Sequence, residues 1–238
     1  MSVFGHRFLT NKPVAYQGSS AVKPYNSLFY WSHGFARETS QFELHPHEGF
    51  EILSYVIEGS NDHYDTTTDQ WTPLGPGDFQ IIQAGSGVSH AERLNKGTRA
   101  FQIWFDPNFQ TALKKAPAYA DYLAANWPEQ SHGGILIKDI VGGSSPAAMD
   151  TPGLKIQRWR AEELATFDFE VEAGYTYHFY VVHGEAVWKE EAEWNCPLNS
   201  SLRLESGAKG TWFFQPGTEL FLIATLQEPG YRRIWEGR

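Results

Sequence analysis

The sequence predicts an all-β fold in which many short strands close into barrels. Glycine and proline are plentiful, at 22 and 13 residues, as a chain with many tight turns requires. Strand-like apolar runs recur between turn signals such as Leu74–Asp78 and Gln215–Gly217. Hydrophobic residues make up 41% and aromatic residues 15% of the chain, so it can build a core for one large or two ordinary domains.

We interpret the apolar runs between these turns as strands. They are Phe50–Ile57, Phe79–Gln83, Ala100–Phe105, Leu154–Trp159, Tyr177–Val182, Val187–Lys189, Thr211–Phe214 and Leu220–Leu226. The clearest helical pattern lies in Pro117–Asn126, because Tyr119, Tyr122 and Leu123 would share one helical face there. Pro128 would end that helix, so the sequence predicts one short helix between β regions.

A faint internal repeat predicts two copies of one barrel. Ser54–Gly59 (SYVIEG) resembles Phe179–Gly184 (FYVVHG), and the glycines that bound Gly77–Gly85 have counterparts bounding Gly210–Gly217 at a similar offset. We therefore expect an N-terminal barrel over residues 1–108, a connecting helix and loop over 109–150, and a C-terminal barrel over 151–238.

Charge and cysteine content limit the partners and the cellular compartment that we expect for the protein. The 19 basic against 28 acidic residues give a net charge of −9, which argues against non-specific binding to nucleic acid or an anionic membrane. No apolar stretch approaches the roughly 20 residues of a spanning helix. Cys196 is the single cysteine, and the N-terminus lacks a signal-like apolar core, so we expect a cytoplasmic protein.

Two short segments offer metal ligands. His45-Pro46-His47 and His90-Ala91-Glu92 each place two metal-binding side chains at i and i+2, which share one face of a β-strand. Together they supply three imidazoles and one carboxylate, a set that suits divalent iron, copper, nickel, manganese or zinc with open coordination positions. The aligned stretch of the second copy carries Glu170 and Glu172 instead, so we expect a C-terminal barrel without metal.

These segments lie in runs that resemble a known family. His45–Gly59 resembles the first cupin motif in the form used by pirins, and Gly75–Glu92 resembles their second motif. Ile140–Pro146 is similar to the pirin connection into the C-terminal barrel. The resemblance implies two cupin-type β-barrels in one chain, a bicupin, with one metal ion, usually iron, in the N-terminal barrel.

The resemblance also implies the ligand set and an activity. The ligands would be His45, His47, His90 and Glu92, although in many other cupins the carboxylate comes from the first motif, where Glu51 stands. Several pirins are similar to quercetinases, which open flavonols with O₂, and eukaryotic relatives are transcriptional coregulators. The expected function is a metal-dependent dioxygenase acting on a small aromatic or enol substrate and O₂.

Two other function classes stay open from the sequence. One is a metal-containing regulatory module that binds a protein partner without turnover, and it predicts a closed or narrow cavity. The other is a cupin isomerase or hydrolase that uses zinc or manganese as a Lewis acid. Neither includes direct contact with nucleic acid or a membrane, because the acidic balance gives no support for it.

Several side chains near the motifs have alternative roles. Glu92 is either a ligand alone or a ligand that also accepts the proton of a bound phenol or enol, which makes it the candidate catalytic base. We place Glu51 on the strand of the two histidines, facing inward as a hydrogen-bond acceptor or a rim carboxylate. We assign His33 and His63 to the surface or core. Pirins commonly carry basic residues where this chain has Glu48 and Ser86, which makes the pocket mouth more negative.

Overall fold

The structure is a computed structural model that describes residues 2–4, 8–15 and 20–237. By its internal contacts the chain divides into two compact units. The first comprises Met1–Asn126, Met149–Thr151 and Gly230–Arg238, and the second comprises Trp127–Ala148 and Pro152–Pro229. Each unit is built from two antiparallel sheets, and the predicted all-β, two-barrel fold is confirmed.

The strands of the first unit form two sheets. They are β1 (Ser2–Phe4), β2 (Phe8–Val14), β3 (Leu28–Ala36), β4 (Ser40–His47), β5 (Glu51–Glu58), β6 (Asn61–Asp65), β7 (Gln70–Leu74), β8 (Phe79–Gln83), β9 (Val88–Leu94), β10 (Arg99–Phe105) and β11 (Ala118–Tyr122). One sheet has the order β1-β2-β3-β10-β5-β8-β11 and the other β4-β9-β6-β7. Helix α1 spans Phe109–Ala112, and 3₁₀ turns span Ala124–Asn126 and Ile234–Gly237.

A row of polar side chains crosses the larger sheet of the first unit. The strand register pairs Gln102 with Ser32 on one side and with Ser54 on the other. Ser54 pairs in turn with Gln80, which pairs with Asp121 on β11. Paired residues of neighbouring strands point to the same face of a sheet, so these five side chains form one row. Its middle members touch the opposite sheet, which places the row inside the barrel.

The second unit has the same two-sheet plan with a different interior. Its strands are β12 (Gln130–His132), β13 (Ile135–Val141), β14 (Lys155–Ala161), β15 (Ala165–Glu170), β16 (Tyr175–His183), β17 (Ala186–Lys189), β18 (Glu193–Cys196), β19 (Ser201–Glu205), β20 (Lys209–Phe214) and β21 (Thr218–Leu226). The sheet orders are β12-β13-β14-β21-β16-β19 and β15-β20-β17-β18. Aromatic side chains fill the space between the sheets, including Trp159, Phe179, Trp188 and Trp212.

The predicted strands are recovered, but the predicted helix is displaced. All eight strand predictions coincide with observed strands to within two residues at either end. The helix expected at Pro117–Asn126 is wrong, because Ala118–Tyr122 is strand β11 and only Ala124–Asn126 is helical, as a 3₁₀ turn. So short a helix is marginal by itself, whereas β11 pairs along the whole length of β8. The short helix lies instead at Phe109–Ala112.

The predicted connection contributes strands to both units. Residues 118–122 complete the larger sheet of the first unit, and Gln130–His132 and Ile135–Val141 begin that of the second. No helix in the described part of the chain is long and apolar enough to cross a membrane.

Candidate metal centre

Three histidines meet where β4 and β9 pair. The register places His45 opposite His90, and His47 opposite Val88. The ring nitrogens that His45, His47 and His90 offer all lie within 4.8 Å of one another. Pro46 is tolerated between the two β4 histidines because β4 is the edge strand of its sheet. The strand geometry that the i, i+2 spacing indicates thus brings three of the four predicted ligands together.

The ring geometry suits a divalent metal ion. His47 Nε2 lies 2.9 Å from His90 Nε2. Two imidazoles that bind one ion at right angles, each at about 2.0–2.1 Å, have nitrogens about 2.9 Å apart. His45 Nδ1 lies 2.8 Å from the backbone oxygen of Glu43. A carbonyl oxygen can only accept a hydrogen bond, so Nδ1 must carry the proton. That bond fixes the proton on Nδ1 and leaves Nε2 of His45 as the free ligand atom.

Burial keeps two of these rings neutral. The pKa values of His47 and His90 are both lowered from 6.5 to about 3, chiefly because burial disfavours the charged imidazolium and further because neighbouring histidines repel it. Neutral imidazole is the form that binds a metal. At pH 7 these two histidines therefore need not lose a proton before they can act as ligands.

His63 is a site residue that the sequence reasoning missed. Its side chain is fully buried on β6, and its Nε2 lies 3.0 Å from His90 Nδ1. Burial lowers the pKa of His63 to about 4, so the neutral ring can accept the N–H of His90 and orient it. The available signal was the alternation Asn61, His63, Asp65, which places three polar residues on one face of a strand.

Glu92 lies inside the barrel, two residues beyond His90. It is 5% exposed, and its Oε2 accepts a hydrogen bond of 2.7 Å from Gln102 Nε2. Its Oε1 accepts one of 3.2 Å from the Ser54 hydroxyl. With His45 it lines a cavity of about 160 Å³. Glu92 does not belong to the close group of three histidines, so its role as fourth ligand stays a prediction.

The placement of Glu51 corrects the sequence interpretation. A turn at Gly49, with φ of +72°, follows β4, so Glu51 begins β5 in the other sheet and does not share a strand with the histidines. Its carboxylate accepts hydrogen bonds from Gln83, Thr151 Oγ1 and the backbone N–H groups of Asp150 and Thr151. Burial raises its pKa. Glu51 thus ties residues 150–151 to β5.

An aromatic cavity opens beside His47. Its volume is about 280 Å³. The lining residues are Phe29, Pro46, His47, Glu48, Phe50, Trp104, Phe109 and Ile234. The Trp104 ring meets the His47 ring edge to face at 4.9 Å. Glu48 is exposed where it lines this cavity, and Ser86 is exposed in the turn before β9. The wall next to His47 is therefore apolar and aromatic, with one exposed carboxylate.

Comparison with known proteins shows which family part of the chain resembles. A family model described as Pirin matches residues 17–105. Residues 17–105 are therefore similar to the Pirin family, which supports the pirin-like cupin that the two motifs predict. The chain is 36% identical over 108 residues to a pirin-like protein of Caulobacter vibrioides, covering 43% of this chain and 38% of that protein. It is 43% identical over 70 residues to a putative quercetin 2,3-dioxygenase of Pasteurella multocida, covering 28% and 29%. The chain thus spans less than half of these relatives' length.

Solved structures share the two-barrel fold of this chain. A protein of Geobacillus kaustophilus superposes with a TM-score of 0.80 at 20% identity, covering 98% of this chain and 94% of that one. The bacterial pirin YhhW of Escherichia coli, solved in complex with nickel(II), superposes with a TM-score of 0.74 at 18% identity, covering 94% of each chain. That relative binds a metal, and this chain gathers three histidines suited to one.

Proposed function

We propose that this pirin-like protein is a metal-dependent dioxygenase of the quercetin 2,3-dioxygenase type, acting on a flavonol or a similar enol or phenol. The observation that carries the proposal is the double position of His47. It belongs to the group of three histidines, and it also lines the aromatic cavity. A planar aromatic ligand in that cavity would therefore lie beside the metal-binding nitrogens.

The chain's own residues supply the ligands, and iron is the occupant we propose. His45, His47 and His90 would hold the ion, with Glu92 as the fourth ligand. A bound redox metal would supply a positive charge, which favours the ionised form of the phenol or enol. It would also supply a route for electron transfer to O₂.

Phe29, Phe50 and Trp104 line the cavity and pack against one another, which gives a planar substrate an aromatic wall to bind against. In this proposal Glu92, which lines the neighbouring cavity together with His45, accepts the hydroxyl proton of the substrate. Its two oxygens are held by Ser54 and Gln102, so the carboxylate is oriented before substrate binds. Because a carboxylate oxygen has more than one acceptor position, these hydrogen bonds leave room for a further proton or ligand contact.

The cavities favour an enzyme over a regulatory module. The module alternative predicts a closed or narrow cavity, whereas the two cavities beside the histidines measure about 160 and 280 Å³. The partners in this proposal are a small aromatic or enol molecule and O₂, without direct contact to nucleic acid or membrane.

Oxygen uptake with quercetin tests the proposal. We expect the iron-loaded protein to consume O₂ in the presence of quercetin, and Glu92→Gln to lower kcat by about 10²–10⁴-fold if Glu92 is the base. The conservative variant Glu43→Gln is the control, since Glu43 touches His45 only through its backbone oxygen. Absence of uptake by the loaded wild-type protein would contradict the dioxygenase, and undiminished uptake by Glu92→Gln would contradict the base.

A further inference from the structure

Gln102 makes the shortest contact to Glu92. Its side-chain amide lies on the inner face of β10 and donates from Nε2 to Glu92 Oε2 at 2.7 Å. A carboxylate is purely an acceptor, so it matches an N–H donor and an O–H donor such as Ser54. The contact crosses from one sheet of the barrel to the other, because Gln102 is on β10 and Glu92 on β9.

Trp104 fixes which way the Gln102 amide points. The indole Nε1–H of Trp104 donates to Gln102 Oε1 at 3.3 Å. An indole N–H can only donate, so Oε1 must face Trp104 and the NH₂ group must face Glu92. The same Trp104 ring packs against His47 and lines the aromatic cavity. A single chain of contacts thus runs from the cavity wall through Gln102 to Glu92.

Two comparisons within the molecule separate Gln102 from an ordinary buried amide. Gln80 belongs to the same polar row and is fully buried, yet neither atom of its amide has a hydrogen-bond partner among the described residues. In the second unit, Leu222 takes the position of Gln102: it pairs with Phe179 on β16 as Gln102 pairs with Ser54 on β5. The unit without the histidine group has no amide at this position.

We propose that Gln102 is a positioning residue that holds the Glu92 carboxylate at the histidine group, with Trp104 locking the orientation of its amide. This inference rests on the proposed function only in that it takes Glu92 as a ligand. Gln102 lines the cavity that His45 and Glu92 also line, and its side-chain amide is hydrogen-bonded to Glu92 and Trp104. Its effect on the metal site is exerted through the place and orientation of Glu92.

Cobalt(II) binding tests the proposal without relying on activity. The full chain is stripped of metal and titrated with Co²⁺, whose visible absorption reports the number and kind of ligands. The variants are Gln102→Leu, which introduces the residue of the second unit, Gln80→Leu as the matched buried control, and Glu92→Gln as the reference. We expect Gln102→Leu to weaken Co²⁺ binding about 10–100-fold and to change the saturated spectrum towards that of Glu92→Gln. Gln80→Leu should match the wild type in both.

The outcomes separate this inference from the proposed function. If Gln102→Leu keeps wild-type affinity and spectrum while Glu92→Gln changes both, Glu92 is a ligand and the positioning role of Gln102 is wrong. If Glu92→Gln also changes neither, the ligand role of Glu92 fails, and the inference fails with it. Oxygen uptake by the iron-loaded wild type is a separate result in either case.

Two further variants guard against a folding defect. Gln102→Glu keeps the shape of the side chain and an oxygen that accepts from Trp104. It replaces the NH₂ group that donates to Glu92 by a second oxygen, so Co²⁺ affinity should fall as it does in Gln102→Leu. Trp104→Phe keeps an aromatic ring but removes the N–H, and it should shift the spectrum in the same direction by a smaller amount. Wild-type spectra for both folded variants would overturn the proposal.

Discussion

The two units share a strand plan but carry opposite interiors. In the first, the neighbouring strands β3, β10, β5 and β8 present Ser32, Gln102, Ser54 and Gln80 side by side. In the second, the corresponding strands β14, β21, β16 and β19 present Gln157, Leu222, Phe179 and Leu202 at the same pairings. The faint sequence repeat already aligns Ser54 with Phe179, and the registers extend that match along the row.

The smaller sheets differ in the same way. His63 pairs with Glu92 in the first unit, and Trp188 pairs with Trp212 in the second. His63 and Trp188 each stand four residues after the glycine that ends the repeated motif, at Gly59 and Gly184. The two tryptophan rings pack at 5.2 Å between centroids, in the position where the first unit has a histidine and a carboxylate.

The difference shows how the same strand arrangement can enclose either a packed aromatic core or a polar site. Packed aromatic rings fill the second interior and stabilise it by burial and ring contacts. In the first, polar side chains of smaller volume leave a cavity of about 160 Å³ and supply donors for Glu92. At the positions where the second unit packs aromatic rings, the first unit has less close packing and a polar site instead.

Removing a histidine of the first unit should have the largest effect on metal affinity. We expect His90→Asn to reduce metal affinity by more than the roughly 10–100-fold that loss of an outer hydrogen-bond partner costs, because it deletes a ligand. His183→Asn in the second unit is the control and should leave affinity unchanged. Metal titration of both purified variants checks the prediction, and equal affinity in wild type and His90→Asn would refute the site.

Removing a core tryptophan should separate stability from metal binding. Trp212 is fully buried in the second unit, so Trp212→Ala should lower the free energy of unfolding of that unit by about 3–5 kcal/mol. Metal affinity of the folded protein should stay at the wild-type value. Denaturant unfolding and metal titration of the same sample make the measurement, and a metal affinity that falls with stability would argue against two separate interiors.

Acid should destabilise the metal-free first unit through its buried histidines. The pKa values of His47 and His90 lie near 3 in the folded protein against 6.5 ordinarily, so the unfolded chain binds more protons between those values. Their contribution to stability is constant above about pH 6.5 and is lost progressively as the pH falls towards 3. Thermal unfolding across this range should show a shallower decline for the double variant His47→Asn/His90→Asn. An identical decline would show that these rings are not held neutral.

The smallest effect concerns the unpartnered amide of Gln80. Leucine has a similar volume and no polar group to leave unsatisfied, so Gln80→Leu should raise the free energy of unfolding by about 1 kcal/mol. Denaturant unfolding measures the change, with Gln102→Leu as the counterpart that loses a made hydrogen bond. A Gln80→Leu protein less stable than Gln102→Leu would mean that the two amides have been assigned the wrong roles.

The sequence predicted the parts of this site that depend on a single strand. The pairs His45/His47 and His90/Glu92 follow from the i, i+2 rule, since alternation along a strand is local, whereas His90 meets the two β4 histidines because β9 pairs with β4. His63 and Gln102 were missed because their roles depend on partners across strands, and the register that pairs them is set by the whole sheet. Glu51 was misplaced because a turn at Gly49 separates His47 from β5, which lies in the other sheet. The helix prediction at Pro117–Asn126 was wrong for a related reason: Ala118–Tyr122 pairs with the edge of β8, a partner that is distant in sequence.

The most direct test of this account is the anomalous scattering of a crystal grown with Fe²⁺ or Co²⁺. The account predicts one strong peak in the first unit, about 2.0–2.2 Å from ring nitrogens of His45, His47 and His90 and from an oxygen of Glu92. It predicts no comparable peak among the aromatic rings of the second unit. A peak elsewhere, or none at the histidines at saturating metal, would contradict the claim that the polar barrel is the metal-binding one.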